Sequence, residues 1–141
     1  MVSYRRILLK LSGEALKSDK NNIDPEMLKK VVTIVQSALD LGVEIAIVIG
    51  GGNIYRGATL ATDGMNKITG DHIGMLATVM NALAISDAFE RNNIPSIVMS
   101  GFSIGGGVCE PFNHTKAKNV LSEGKVVIFS AGTGSPCFTT D

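Results

Sequence analysis

Apolar residues fall in short dense runs, separated by polar or glycine-rich stretches. Arg5 to Lys10 holds Ile7-Leu8-Leu9 and predicts a first strand. Ser18 to Asn22 is polar and predicts a loop. Asp24-Pro25-Glu26 is a strong helix start: a capping side chain, proline at the first position, then an acid. That helix should run to about Leu41 and stop at Gly42. Val43 to Ile49 is continuous and β-branched, as a strand buried on both faces should be. A long helix is expected from Asp71 to about Arg91, ended by Asn92-Asn93. Ser96 to Ser100 predicts a third strand, Asn113 the cap of a short helix ending at Gly124, and Val126 to Ser130 a fourth strand. Strands alternating with helices argue for an α/β sandwich: a mainly parallel sheet with helices on both faces.

The long helix carries Ile73, Met75, Leu76, Val79, Met80, Leu83, Ile85 and Phe89. These cover more than one stripe, so the helix should be buried on more than one side. Core packing is the first explanation and a subunit interface the second.

Composition narrows the class. The 141 residues fit one domain with a real core, 45% of them hydrophobic. A formal net charge of zero argues against a general nucleic-acid binder, which would show a basic excess. The apolar stretch near the N-terminus is broken by Lys10, too short for a signal segment or a membrane span. Cys109 and Cys137 are isolated, and His72 and His114 are single, so no metal site is assigned. Nothing requires an oxidising compartment, and the cytoplasm is the default.

The chemistry sits in three loops, each following an expected strand: Lys10-Leu11-Ser12-Gly13-Glu14, Gly50-Gly51-Gly52-Asn53, and Ala131-Gly132-Thr133-Gly134-Ser135-Pro136. Glycine lets backbone N–H groups approach an anion closely. In a parallel sheet all such loops share the carboxyl edge, where ligands bind. Several phosphate-type loops on one edge suggest phosphoryl transfer. There is no G-x-x-x-x-G-K-[ST], and Tyr55 occupies the last glycine position of a G-x-G-x-x-G. Lys10 reads either as a solvated lysine or as a charge on transferring phosphate oxygens. Three consecutive glycines exceed what a turn needs, so Gly51 is expected to leave room for a phosphate. Arg56 is either a bidentate phosphate clamp or half of a surface ion pair. Asp71 is either a helix cap or an acceptor for ribose hydroxyls.

Taken together the motifs resemble those of the bacterial uridylate (UMP) kinases. The likeness runs through Arg6 to Leu16, Val48 to Gly57, Gly70 to Asn81 and Ser130 to Asp141. It implies the amino-acid-kinase fold and ATP-dependent conversion of UMP to UDP with magnesium, in pyrimidine nucleotide synthesis. It places Lys10, Ser12, Gly13, Gly52 and Arg56 at the ATP phosphates and Gly51 at the UMP phosphate. It places Asp71 at the ribose, and Thr133, Gly134, Ser135, Pro136, Cys137, Phe138, Thr139 and Thr140 at the uracil and phosphate. Catalysis would fall to Lys10, Arg56 and Asp141. The family is also hexameric, activated by GTP and inhibited by UTP.

The family usually carries asparagine where Ser135 stands and an aromatic where Cys137 stands. Its members also continue well beyond Asp141, and their later part carries most of the adenine and ribose pocket. Thr139-Thr140-Asp141 has the capping chemistry of a helix start. The chain is therefore expected to be the N-terminal, UMP-binding part of a larger fold. Two other readings stay open: an amino-acid kinase acting on a carboxylate or carbamate, and a non-catalytic nucleotide-binding or assembly fragment.

Overall fold

The computed structural model describes residues 3–56 and 64–138. Its strands are β1 (Arg6–Leu11), β2 (Glu44–Ile49), β3 (Ser96–Ser100), β4 (Glu110–Pro111) and β5 (Val126–Ser130). Its helices are α1 (Pro25–Asp40), α2 (Lys67–Arg91) and α3 (His114–Ser122), with a 3-10 turn at Gly13–Leu16. The strands form one sheet in the order β1-β2-β5-β3-β4, every pair parallel.

Alternation along the strands decides which helix covers which face. Ile45, Ile47 and Ile49 of β2 join Val126 and Ile128 of β5 on one face. There they meet Val31, Val32 and Val35 of α1 and Ile85 and Phe89 of α2. Ala46 and Val127 point the other way, against Ala117, Val120 and Leu121 of α3. This is the expected sandwich of helices on both sides of a parallel sheet. Phe89 and Ile47 are fully buried, each a gain of roughly 1.5–3 kcal/mol over exposure.

The local signals at α1 work as read. Asp24 Oδ1 accepts the Glu26 N–H at 2.8 Å, and its Oδ2 accepts the Ser18 hydroxyl at 2.6 Å. Gly42 follows the helix at φ +79°, a backbone conformation that suits glycine.

Two elements differ from expectation. Helix α2 begins at Lys67, not Asp71, because Asn66 is the cap: its Oδ1 accepts the N–H groups of Ile68 at 2.9 Å and Thr69 at 3.3 Å. Gly70 therefore lies inside the helix, and its missing Cβ admits the Tyr55 hydroxyl, which would stand 3.0 Å away. Strand β4 was not expected, since Glu110-Pro111 has little strand character. Proline is tolerated there because β4 is an edge strand. Val126–Ser130 is thus the fifth strand rather than the fourth.

Helix α2 is long and apolar enough to cross a membrane by length and composition alone, but half of its most apolar stretch is buried in the domain. Its fully buried Thr78 and Asn81 hydrogen-bond to loops of the sheet, as a core helix would. Met75 is buried, whereas Ile68, Leu76 and Met80 are exposed.

Candidate functional site

All strands being parallel, the loops after β1, β2, β3 and β5 leave the same edge of the sheet. The first two are in direct contact. The Gly50 N–H donates to the Leu11 carbonyl at 2.9 Å, and a Cβ on Gly13 would stand 2.5 Å from Asn53 Oδ1. Glycine at 13 is thus required by close approach. Ser12 caps the 3-10 turn, its hydroxyl accepting the Glu14 N–H at 3.3 Å.

Strand β1 extends through Leu11, so Lys10 lies within the strand, with an exposed side chain. Arg56 forms an ion pair with Glu14, which bridges the two loops. Its guanidinium lies beside Gly52, where an added Cβ would be 3.9 Å from Nη2. The surface-pair reading of Arg56 therefore describes this arrangement, and Glu14 is the carboxylate a phosphate would replace.

Gly51 differs from expectation. One side of it is filled by α2: a Cβ there would meet Ala77 Cβ at 3.0 Å and the Gly74 carbonyl at 3.1 Å. None of Gly50, Gly51 and Gly52 has a positive φ, so close packing rather than a left-handed backbone explains glycine here.

The fourth loop is tied down at both ends. Ala131, buried at φ +63°, donates its N–H to Thr78 Oγ1 at 2.7 Å. Thr78 in turn donates to the Met75 carbonyl at 2.6 Å. At the far end the Cys137 N–H donates to Asp71 Oδ2 at 2.7 Å, with Cys137 at φ +67°. Two non-glycine residues in left-handed conformations within one loop are a local strain of the kind found at ligand sites. Gly132 and Gly134 also have positive φ. Thr133, Ser135 and Phe138 are exposed, Pro136 half-buried. Thr139, Thr140 and Asp141 lie outside the described residues.

Asp71 is therefore not a helix cap. It lies just past the first turn of α2 and joins that helix to the fourth loop. Lys67 Nζ stands 3.1 Å from its Oδ2. The Cys137 N–H first, then Lys67, hold the Asp71 carboxyl below the usual aspartate range, against a smaller desolvation effect. The same carboxylate raises Lys67 above the ordinary lysine value.

These directions fix a pH window. A carboxyl whose pKa falls on folding contributes stability above its unfolded pKa, and loses it as pH falls through the folded value. Lys67, raised on folding, keeps its share below the ordinary lysine range and loses it only in stronger alkali. In an acid titration followed by NMR, the Cys137 amide resonance should move with a midpoint below the usual aspartate range. A midpoint at or above that range would remove the Asp71 tether.

Sequence reasoning missed Asn53, Asn81, Thr78, Lys67 and Glu14. The signal available was a polar amide inside an apolar helix: Asn81 stands between Met80 and Ala82.

Comparison with known proteins agrees with this geometry. The model of the amino acid kinase family matches residues 5–138. The uridylate kinase of Ruthia magnifica subsp. Calyptogena magnifica is 69% identical over all 141 residues, which cover 59% of that protein. The uridylate kinase of Histophilus somni is 55% identical over 98% of this chain and 58% of its own length. Among solved structures, UMP kinase from Bacillus anthracis superposes with TM-score 0.90 at 37% identity, covering 97% of this chain and 57% of that one. The Ureaplasma parvum UMP kinase gives TM-score 0.89 at 33% identity, covering 97% and 60%. The chain thus spans about three fifths of the relatives it matches. A family match across nearly the whole chain, on a fold whose glycine loops meet at one edge, means that the chain belongs to the amino acid kinase family.

Proposed function

We propose that residues 1–141 are the UMP-binding part of a uridylate kinase, which transfers a phosphoryl group from ATP to UMP. One observation carries this reading: on one sheet edge the loops after β1 and β2 meet at the Gly13–Asn53 approach, and the loop after β5 is tied by the Thr78–Ala131 bond to α2, whose Asn81 also holds the Gly50 carbonyl. Converging backbone loops of this kind suit more than one phosphate. The names of the relatives support uracil as the base.

The acceptor needs no general base. A phosphate monoester has a second pKa of roughly 6 and is largely a dianion at neutral pH. The task is to bring two anions into line, by positioning and charge neutralisation. Lys10 and Arg56 supply positive charge, and Arg56 must exchange Glu14 for phosphate. Ser12, Gly13 and Gly52 border the ATP phosphates, and Gly51 the UMP phosphate. Asp71 faces the ribose, and the loop from Thr133 to Thr140 the uracil and phosphate.

Magnesium, when bound with ATP, would screen the phosphate charge. Among the described residues no three His, Cys, Asp or Glu side chains group to hold a metal ion. Glu14 and Asp71 are each paired with a cation. Magnesium is usually held by one or two carboxylates plus substrate phosphates. Hexameric assembly, with the exposed Leu76 and Met80 on one face of α2, belongs to the same proposal. So do GTP activation, UTP inhibition and a cytoplasmic setting.

Calorimetry with UMP and with glutamate-type substrates tests the reading. UMP should bind and glutamate should not; the reverse result would favour a carboxylate kinase. Asp71→Asn should weaken UMP by roughly 1.5–3 kcal/mol, the scale of a charged hydrogen bond, and 2′,3′-dideoxy-UMP by less. Equal losses would leave Asp71 only its tether to Cys137.

A further inference from the structure

The loops that would hold phosphate are backed by a buried pair of amides. Asn81 is fully buried in α2, and Asn53 is 5% exposed at the end of the triple-glycine loop. Asn81 Nδ2 donates to the Gly50 carbonyl at 2.7 Å and to Asn53 Oδ1 at 2.7 Å. Asn53 Nδ2 donates to the Asn22 carbonyl at 2.8 Å and to Asn81 Oδ1 at 3.0 Å. Each amide NH2 thus has two acceptors and each amide oxygen accepts from the other side chain. Flipping either amide would set oxygen against oxygen, so the orientation of both is fixed.

The bond to Gly50 has a consequence one atom further on. The Gly50–Gly51 peptide is planar and trans, so its C=O and N–H point in opposite directions. Pinning the Gly50 carbonyl to α2 turns the Gly51 N–H away from α2. Neither glycine can fix this plane by a side chain of its own. The same node reaches the first loop, because Asn53 Oδ1 fills the space beside Gly13.

We propose that Asn81 is a positioning residue for the acceptor phosphate: it orients the Gly51 amide and holds Asn53 against Gly13 without touching the ligand. This rests on the reading that UMP phosphate binds at Gly51. A merely structural role would weaken every part of the ligand equally. Positioning of one amide should affect the phosphate and spare the base and ribose.

The test compares UMP with uridine on wild type and on Asn81→Leu, which removes both donated bonds at similar volume and adds no charge. UMP affinity should fall about tenfold, the equivalent of ~1.4 kcal/mol, while uridine changes by less than about twofold. Equal loss for both ligands, or unchanged UMP affinity, would overturn the proposal. A wild type that binds UMP no better than uridine would instead overturn the phosphate site itself. Should Asn81→Leu fail to fold, the wild type decides by NMR. The Gly51 amide resonance should shift with UMP and not with uridine, and a Gly51 amide indifferent to the phosphate would refute the role.

Discussion

Gly134→Ala is expected to lower the melting temperature by roughly 10 °C, from a loss of about 3 kcal/mol or more. Two independent costs add at this position. Gly134 sits at φ +76°, where a side chain costs roughly 1–3 kcal/mol. An added Cβ would also stand 2.3 Å from the Gly101 carbonyl oxygen, and 2.6 Å from its carbon. These are backbone atoms and cannot rotate away. The contact is mutual, since a Cβ on Gly101 would stand 2.7 Å from the Gly134 nitrogen, and also 2.4 Å from the Gly132 carbonyl oxygen. Overpacking of a tight site typically costs another 1–3 kcal/mol or so. Gly105→Ala is the control: a Cβ there meets nothing within 4 Å, and its φ is not positive. It should stay within about 0.5 kcal/mol of wild type. Calorimetric melts of the three proteins without ligand measure this, and equal melting of Gly134→Ala and Gly105→Ala would refute it.

The second expectation concerns turnover. A polypeptide of these 141 residues should bind UMP weakly and make almost no UDP from ATP. It spans 59% of its relative from Ruthia magnifica. In the family its motifs resemble, the later part carries most of the adenine and ribose pocket. Binding energy from remote parts of a substrate aligns the reacting groups, so its loss lowers turnover as well as affinity. An unheld γ-phosphate forfeits much of the roughly 7–11 kcal/mol that positioning can supply. A coupled UDP assay on material of verified mass is the measurement. Turnover near one per second or faster, within the usual enzyme range, would overturn the expectation.

Where structure depends on neighbouring residues, the chain was legible. Strands β3 and β5 fall on the residues expected, and α1 starts at its Asp24-Pro25 signal. The start of α2 lies four residues before the expected Asp71, and Gly70 falls inside the helix. Its tolerance comes from Tyr55, a contact no local window contains. The same distinction runs through the site. Glycine clusters marked the loops, but Gly101 stood out from no pattern, and its necessity comes from Gly134 across the sheet edge. Asp71 suggested a cap because acids often cap helices. That Asn66 takes this role and Asp71 reaches Cys137 is a tertiary fact.

The order of the strands sets a schedule for folding. Strand β5 follows the other four described strands in sequence, yet it lies between β2 and β3. Strands β1 and β2 can pair as soon as both exist, and β3 and β4 likewise. Neither pair can join the other, because β2 and β3 are not neighbours. During synthesis two strand edges therefore wait, apolar and unpaired, until Val126–Ser130 is available to insert between them. Open edges of this kind are templates for wrong partners. Strand β5 is thus the keystone of these five strands, and it leads directly into the strained turn that opens the fourth loop.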